Sequence, residues 1–366
     1  MKILVVSGIW PPDVGGPATH APELASWLAA RGHHVEALTT ALATPAGAGY
    51  RVHWVSRRLP PGARHAAVAA AVARAARRAD VVYATSMVGR TAAGAALARR
   101  PFVAKLTSDP AFERSRRRGL VDGETVAFQG GGGGLGAGVL RAVRDRSVRQ
   151  ARFVICPSAY IAELAARWRG SGDGVVVLPN PAPSPAEAAA VDFPGERPHI
   201  AFVGRLTAAK NLGVAIDAVR GLDAGTLVVV GDGEERSRLE KDAGERVRFL
   251  GARSRADALG FLAAADVAVL PSAWENFPHA AVEALALGTP LVATRVGGVP
   301  EIVVDGENGL LVEPNDAAAF AAALERVLGD DALRARLADA AAPSVGRFAI
   351  DTVYGEIERL LAEAAA

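Results

Sequence analysis

The sequence predicts an α/β protein built from two doubly wound, parallel-sheet domains. Three observations carry that prediction. Short valine-rich apolar runs alternate with alanine-rich segments of helical spacing. The runs are apolar throughout rather than alternating, as in strands covered on both faces. The whole rhythm occurs twice in 366 residues, a length that suits two domains better than one.

In the first half, KILVVS (2–7), VVYAT (81–85), PFVAKL (101–106), RFVIC (152–156) and GVVVLP (174–179) read as buried strands. ATHAPELASWLAARG (18–32) reads as a helix closed by a glycine, a residue suited to helix ends. The stretch 180–198, NPAPSPAEAAAVDFPGERP, holds five prolines and no periodic pattern, which suits a linker. The rhythm restarts at HIAFVG (199–204) and continues through GTLVVVG (225–231), RVRFLG (246–251), ADVAVLP (265–271) and TPLVAT (289–294). The last stretch, 348–366, places apolar residues three and four apart and predicts a terminal helix. One segment breaks the rhythm: 108–136 is long, charged and ends on five glycines before Leu135 and Gly136. A loop of that length inside a compact domain is usually functional or mobile. The expected organisation is a first domain over 1–180, a linker over 181–198, a second domain over 199–345 and a terminal segment over 346–366.

Composition narrows the function. The chain is 50% hydrophobic and 22% charged, with a formal charge of +2, too small to argue for a nucleic-acid partner. The single cysteine, Cys156, excludes internal disulfides and cysteine-based zinc sites, and its place after RFVI reads as a buried thiol. No apolar run is long enough to span a membrane, and the run after Met1 is too short for a signal peptide. A cytoplasmic location is the expectation.

Ligands of open α/β sheets sit beyond the carboxyl ends of the strands, so the residues after each strand are the candidates. After the first strand, Gly15 and Gly16 precede a helix. They serve either a tight strand–helix turn or close backbone approach to an anion at the helix start. The spacing is not G-x-G-x-x-G, and GDGEER (231–236) fails that pattern too, so a dinucleotide fingerprint is absent. After HIAFVG come Arg205 and Lys210, in GRLTAAKN. Two cations bracketing a strand–helix loop clamp a diphosphate, or else are solvated surface charges. Only four lysines occur in the chain, which favours the ligand. After ADVAVLP, the segment PSAWENFPHAAVEALALG carries Glu275 in a loop and Glu283 in the early part of a helix that starts near Pro278. A carboxylate among alanines and leucines is costly unless it accepts hydrogen bonds. Ribose hydroxyls are suitable donors for Glu283; a salt bridge is the alternative. No D-x-D occurs in the sequence, so a metal clamp is not indicated.

With these motifs in order, the chain resembles the large family 4 of retaining, nucleotide-sugar-dependent glycosyltransferases with the GT-B fold. The carriers are Gly15–Gly16, FVGRLTAAKN (202–211), VVVGDGEERSRLE (228–240), the E-x7-E segment 275–283 and GTPLVATRVGGVPEIVVDGENGLLVEPND (288–316). The resemblance implies two Rossmann-like domains facing across a cleft, with the acceptor bound by the first and a nucleotide diphosphate sugar by the second. It implies that Glu283 holds the ribose, that Arg205 and Lys210 neutralise the diphosphate, and that Glu275 with Asn276, Phe277, Pro278 and His279 contacts the donor sugar. Gly15 and Gly16 would lie near the donor phosphate or sugar, and the terminal helix would cross back to the first domain. Transfer would retain the anomeric configuration and need neither metal nor other cofactor.

The sequence departs from the family at one place. Many members carry a histidine in the first domain near the donor sugar, but the loop after PFVAKL reads TSDPAFE. It is similar to a subgroup with an aspartate and an aromatic–glutamate pair, which makes Asp109 the candidate catalytic group alongside Glu275, with Glu113 behind it. Asp109 before Pro110 also suits a simple turn cap. The acceptor is not legible: a glycan, a lipid-linked sugar and a small natural product all fit. RSRRRG (114–119) and RAVRDRSVR (141–149) are dense enough in arginine to meet an anionic membrane surface or acceptor, or to form a solvated face. Trp10 suits stacking on a sugar or burial. The rival functions are a nucleotide-sugar epimerase of the same architecture, a two-domain dehydrogenase, which the rhythm allows but which lacks the glycine fingerprint, and an inactive sugar-nucleotide-binding homologue.

Overall fold

The computed structural model describes residues 1–13, 16–121 and 128–366. These form two compact units, one of residues 1–178 with 354–366 and one of 179–353.

The first unit is a seven-stranded parallel sheet. Its strands are β1 (Lys2–Val6), β2 (His34–Ala41), β3 (Arg51–Ser56), β4 (Val81–Ala84), β5 (Phe102–Lys105), β6 (Phe153–Cys156) and β7 (Val175–Val177), in the spatial order 3-2-1-4-5-6-7. The helices are α1 (Gly16–Ala30), α2 (Pro61–Ala76), α3 (Val88–Ala98), α4 (Pro110–Arg117), α5 (Gly134–Gln150) and α6 (Ala159–Arg169). β1, β4, β5 and β6 are fully or almost fully buried, as their uninterrupted apolar runs require. Leu4, Val6, Val82, Phe102 and Val154 pack on one face against Val68 and Val72 of α2 and Ile161 of α6.

Two features depart from the sequence reading. β2 and β3 were not expected as strands, because HVEALTTA and RVHWVS are not continuous apolar runs. Tertiary partners answer their polar groups: Thr40 Oγ1 donates to Gly8 O at 2.7 Å, and His53 Nε2 lies 2.7 Å from Glu36 Oε2. The segment 108–136 is not one long loop. It contains α4 and the start of α5; its residues 122–127 lie outside the described residues.

The second unit repeats the design with six parallel strands: β8 (His199–Val203), β9 (Thr226–Val230), β10 (Val247–Gly251), β11 (Val267–Leu270), β12 (Leu291–Thr294) and β13 (Gly309–Val312), in the order 10-9-8-11-12-13. Its helices are α7 (Gly213–Gly221), α8 (Arg236–Asp242), α9 (Arg255–Ala263), α10 (His279–Ala286), α11 (Ala317–Gly329) and α12 (Asp331–Ser344). Successive residues of β8 feed opposite cores. Ala201 joins Phe277, Val282 and Leu285 on one face; Ile200 and Phe202 join Ile216, Phe320 and Leu324 on the other. The proline-rich stretch 180–198 packs onto this unit rather than hanging free. Phe193 stacks on His199 at 4.1 Å and meets Phe261 edge-on, and Ala182 N donates to Phe348 O at 2.7 Å.

The chain ends in α13 (Ile350–Ala365), whose residues from Tyr354 onward belong to the first unit. Glu358 accepts Arg31 Nε at 2.9 Å and lies 2.6 Å from His33 Nε2, and Tyr354 Oη donates to Glu23 at 3.2 Å.

Candidate functional site

In the second sheet the strand order reverses between β8 and β11, so their carboxyl ends lie side by side at the point where doubly wound sheets place ligands. The loop 204–211 leaves β8, the loop 231–235 leaves β9 and the loop 271–278 leaves β11. Glycines let the first two touch. A Cβ on Gly231 would stand 1.8 Å from Gly204 O, and one on Gly233 would stand 2.2 Å from Leu206 O. In their absence Leu206 N donates to Asp232 O at 2.9 Å, and Glu235 N donates to Leu206 O at 3.0 Å. The GDGEER motif therefore braces the loop that carries Arg205. A further backbone bond, Ala273 N to Ala209 O at 2.9 Å, ties the β8 loop to the β11 loop.

That tie brings two of the expected site residues together. Lys210 Nζ and Glu275 Oε1 form a close ion pair, and Ser272 Oγ donates to the same carboxylate oxygen at 2.7 Å. Lys210 keeps 26% of its side chain exposed and Glu275 9%. Arg205 stands exposed on the Lys210 loop. The backbone of Glu275 is held from below. Gly298 N donates to Glu275 O at 3.3 Å, and a Cβ on Gly297, whose φ is +48°, would sit 1.7 Å from that oxygen. Asn276, Phe277 and Pro278 are buried, with Phe277 edge-on to Phe348 at 5.8 Å. Pro278 caps α10, and His279 opens it. Asn180 Nδ2 donates to His279 Nε2 at 3.1 Å, which leaves the ring proton on Nδ1.

Glu283 lies one turn into α10. Arg255 Nη1 donates to its Oε1 at 2.8 Å, so the carboxylate has the ion-pair partner that the apolar setting demanded. Only 13% of the side chain is exposed. Burial raises its pKa above the ordinary carboxylate value, against the opposing pull of Arg255.

In the first unit, Gly15 lies outside the described residues and Gly16 opens α1. Asp109 is the N-cap of α4 and has no exposed side-chain surface. Its Oδ1 accepts Ala111 N at 2.8 Å and Phe112 N at 3.3 Å. Its Oδ2 accepts Gln129 Nε2 at 2.8 Å and Arg144 Nη1 at 2.6 Å. Arg144 in turn lies over the Trp168 ring at 4.1 Å, and Trp168 Nε1 donates to Gln129 at 3.1 Å. In this arrangement Asp109 anchors a helix start, and neither oxygen is turned to solvent. Glu113 is exposed and accepts Ser108 Oγ at 2.5 Å. Ser272, Arg255, Asn180, Gly297 and Gly298 were not expected at the site. Arg255, Asn180, Gly297 and Gly298 act through partners distant in sequence, which no local spacing signals; Ser272 acts on Glu275 three residues on, within the loop itself.

Comparison with known proteins decides the class. Residues 184–343 match the family described as Glycosyl transferases group 1, and residues 15–181 match the Glycosyl transferase 4-like domain. Glycogen synthase of Mycobacterium tuberculosis is 31% identical over 93% of this chain and 89% of its own.

The chain belongs to the group 1 glycosyltransferases.

The lipopolysaccharide core biosynthesis glycosyltransferase LpsE of Rhizobium meliloti is 38% identical over 182 residues; the match spans 48% of this chain and about half, 53%, of LpsE. Among solved structures, this glycosyltransferase is similar to sucrose-phosphate synthase of Thermosynechococcus elongatus, with a TM-score of 0.79 and 21% identity over 99% of this chain and 98% of the other. It is also similar to HepE of Anabaena in complex with UDP, with a TM-score of 0.77 and 24% identity over 99% and 100% of the two chains. These structures share its fold, GT-B, with two parallel-sheet α/β domains.

Proposed function

We propose that this glycosyltransferase moves a sugar from a nucleotide diphosphate sugar to an acceptor hydroxyl, with retention of the anomeric configuration and without a metal clamp. The observation that carries the reading is the convergence of Lys210 and Glu275, 65 positions apart, at the switch point of the second sheet. Arg205 and the remaining donor hydrogens of Lys210 neutralise the diphosphate. Glu275 and the Asn276–His279 segment hold the sugar, and Glu283 accepts from the ribose hydroxyls. The family resemblance assigns Gly15 and Gly16 to the donor phosphate or sugar.

In the reaction, the bond from the anomeric carbon to the diphosphate breaks and the acceptor oxygen bonds on the same face. The acceptor proton passes to a phosphate oxygen of the leaving group. The protein's main contribution is electrostatic: cations fixed opposite a departing anion. The absence of D-x-D from the sequence supports giving that task to Arg205 and Lys210. Asp109 enters as a positioning residue, since its oxygens are spent on α4, Gln129 and Arg144.

The nucleotide is the donor partner, as in HepE, whose structures hold UDP and UDP-glucose. The reading places the protein in the cytoplasm, with peripheral contact at the inner face of the membrane. Leu135, Val139 and Val143 support that contact: they are exposed at four-residue spacing on α5, which carries Arg146 and Arg149 further along. No helix among the described residues is long and apolar enough to cross a membrane.

A thermal-shift screen against a panel of nucleotide diphosphate sugars tests the reading. A true donor at a hundred times its Kd stabilises the fold by about 2.7 kcal/mol. Glu283→Ala should abolish that shift. A wild-type chain that responds to no member of the panel would sink the proposal.

A further inference from the structure

The first unit gathers arginines that find no carboxylate partner among the described residues. Helices α2, α3 and α4 follow β3, β4 and β5, so their amino ends lie at the carboxyl edge of that sheet. These helices carry cations: Arg64 and Arg90 in the first turns of α2 and α3, and Arg114 with Arg117 in the last turn of α4. Arg64, Arg90 and Arg114 are half-buried, yet none of the three forms an ion pair with a described residue. Among the described residues Arg117 reaches only the exposed Glu113, at 3.8 Å.

The hydrogen bonds of these arginines go to neutral groups. Arg64 Nη1 donates to Arg57 O at 2.9 Å, and Arg90 Nη2 donates to His65 Nε2 at 3.1 Å. His65 Nδ1 donates to Pro61 O at 2.5 Å, which fixes the neutral ring with Nε2 as acceptor. Arg90 Nη1 meets the Met87 sulfur at 3.4 Å, a weak acceptor, and Arg90 Nε is buried with no partner among the described residues. Burial and the nearby Arg114, Arg64 and Arg117 pull the Arg90 guanidinium down to about 10. Burial first, then Arg90, Arg114 and Arg64 hold His65 below its ordinary value, against its bond to Pro61. Beside the cluster runs a groove between the first turns of α3 and α4 and the side of α5, lined by Gly89, Pro110, Arg114 and Ser147.

Half-buried cations at this density repel one another unless an anion lies among them. One carboxylate fills one guanidinium fork; several forks together suit an anion with more acceptor oxygens and more charge. We propose that Arg64, Arg90 and Arg114 bind a phosphoryl group carried by the acceptor. The assignment rests on the reading of the chain as a transferase that takes its acceptor on the first unit. Free phosphate esters and lipid headgroups share this chemistry.

The test uses the full chain in an Arg205→Ala/Lys210→Ala background, so that the donor loop cannot account for anion binding. Inorganic pyrophosphate is titrated calorimetrically, and co-sedimentation is measured with vesicles of phosphatidylcholine alone and mixed with phosphatidylglycerol. Adding Arg64→Ala/Arg114→Ala should weaken pyrophosphate binding by about tenfold or more. Arg64→Lys/Arg114→Lys should restore part of it, and melting curves check the fold of each variant. A parallel loss of binding to the phosphatidylglycerol vesicles identifies a lipid headgroup as the source; loss for pyrophosphate alone identifies a soluble phosphate. Pyrophosphate and vesicle binding that ignore the arginine pair, or no binding of either probe before it is removed, overturns the site. The donor screen is run on Arg64→Ala/Arg114→Ala with the donor loop intact. An unchanged donor shift there, beside lost pyrophosphate binding, confirms both. A wild-type chain that answers no donor while the pyrophosphate result holds removes the transferase reading and leaves the anion site.

Discussion

Lys210 and Glu275 form an ion pair that joins the loop after β8 to the loop after β11, with Ser272 Oγ on the same carboxylate oxygen at 2.7 Å. An ammonium has three donor hydrogens, so this pair fixes Lys210 while leaving it hydrogens for a second anion. Glu275 is thereby oriented from the side chain by Lys210 and Ser272, and from the backbone by Gly298. The site is stiff before any ligand arrives.

Lys210→Ala should lower kcat by about 10²–10³, the scale for removing one group aimed at developing charge. The Tm should fall less than for a fully buried pair, because the lysine keeps 26% of its side chain exposed and Ser272 still donates to Glu275. Initial rates and a melting curve on the same preparation separate the two effects. A large fall in Tm with unchanged kcat would assign Lys210 to the fold alone.

Gly297→Ala should be more damaging than its distance in sequence from the E-x7-E segment suggests. Its Cβ would need the space of Glu275 O, 1.7 Å away, from a backbone at φ +48°. The carbonyl must shift, and Glu275 with it. Activity should fall by about a hundredfold, as for a misplacement of about 1 Å. Gly288→Ala is the control: it also has a positive φ, but no atom lies within 4 Å of its Cβ. Equal losses in the two variants would remove the positioning argument.

Much of this architecture was legible in the sequence because burial on both faces leaves an unbroken apolar run. β1, β4, β5 and β6 are such runs, and so are β8, β9 and β11. β2 was hidden by Glu36, Thr39 and Thr40; the partners of Glu36 and Thr40 come from β3 and the loop after β1. β3 pairs on one side only and leaves Trp54 40% exposed, so it needs no apolar run. The β8 and β11 loops were legible because glycine, lysine and glutamate stand at fixed local spacings there. Arg255 was not, since nothing near it in sequence marks it as the partner of Glu283. Asp109 shows the limit from the other side: its cap before Pro110 was legible, but its partners Gln129 and Arg144, 20 and 35 positions on, were not.

Asp109→Asn should destabilise the first unit by about 1.5–3 kcal/mol, because the buried Arg144 guanidinium loses one of its two carboxylates and keeps only Asp145, at 2.8 Å. The asparagine oxygen can still cap α4, so Asp109→Ala should be worse by about 1 kcal/mol more. Urea unfolding measures both. Turnover per folded molecule, taken well below the lowered Tm, should survive in Asp109→Asn. A loss of turnover without a loss of stability would return Asp109 to a direct role in the chemistry.

Donor binding should depend on the charge of Glu283. Burial raises its pKa, and Arg255 is the group that holds it down. If the carboxylate accepts from ribose hydroxyls, donor affinity falls as pH drops through that raised value. Arg255→Gln should move the fall to higher pH, and Glu283→Gln should remove it. The linked stability runs the other way. The folded state holds the proton more tightly than the unfolded chain, so Glu283 makes the fold less stable as pH rises from the ordinary value through the raised one. Kd against pH for the three proteins decides it; identical acid limbs would mean that Glu283 does not face the nucleotide.

Lys105 closes β5 and is 2% exposed, with Nζ meeting no partner among the described residues. Burial pulls its amine down to about 7, while the neighbouring Cys156 thiol is pushed up to about 12 by the same cause. Neither group gains a counter-charge that would hold it ionised at neutral pH. The unfolded chain keeps the lysine proton up to its ordinary value of 10.5, and the folded chain releases it near 7. Between those values the unfolded state binds more protons, so stability should rise with pH. Lys105→Met fills the same space without a charge to desolvate. It should stabilise the protein at neutral pH by about 1–4 kcal/mol. It should also flatten the rise, which urea unfolding from about pH 6 to about pH 10 would follow. A wild-type stability that is level across that range, or a methionine variant that is less stable at neutral pH, would mean that Lys105 keeps its charge in the fold and has an anionic partner there.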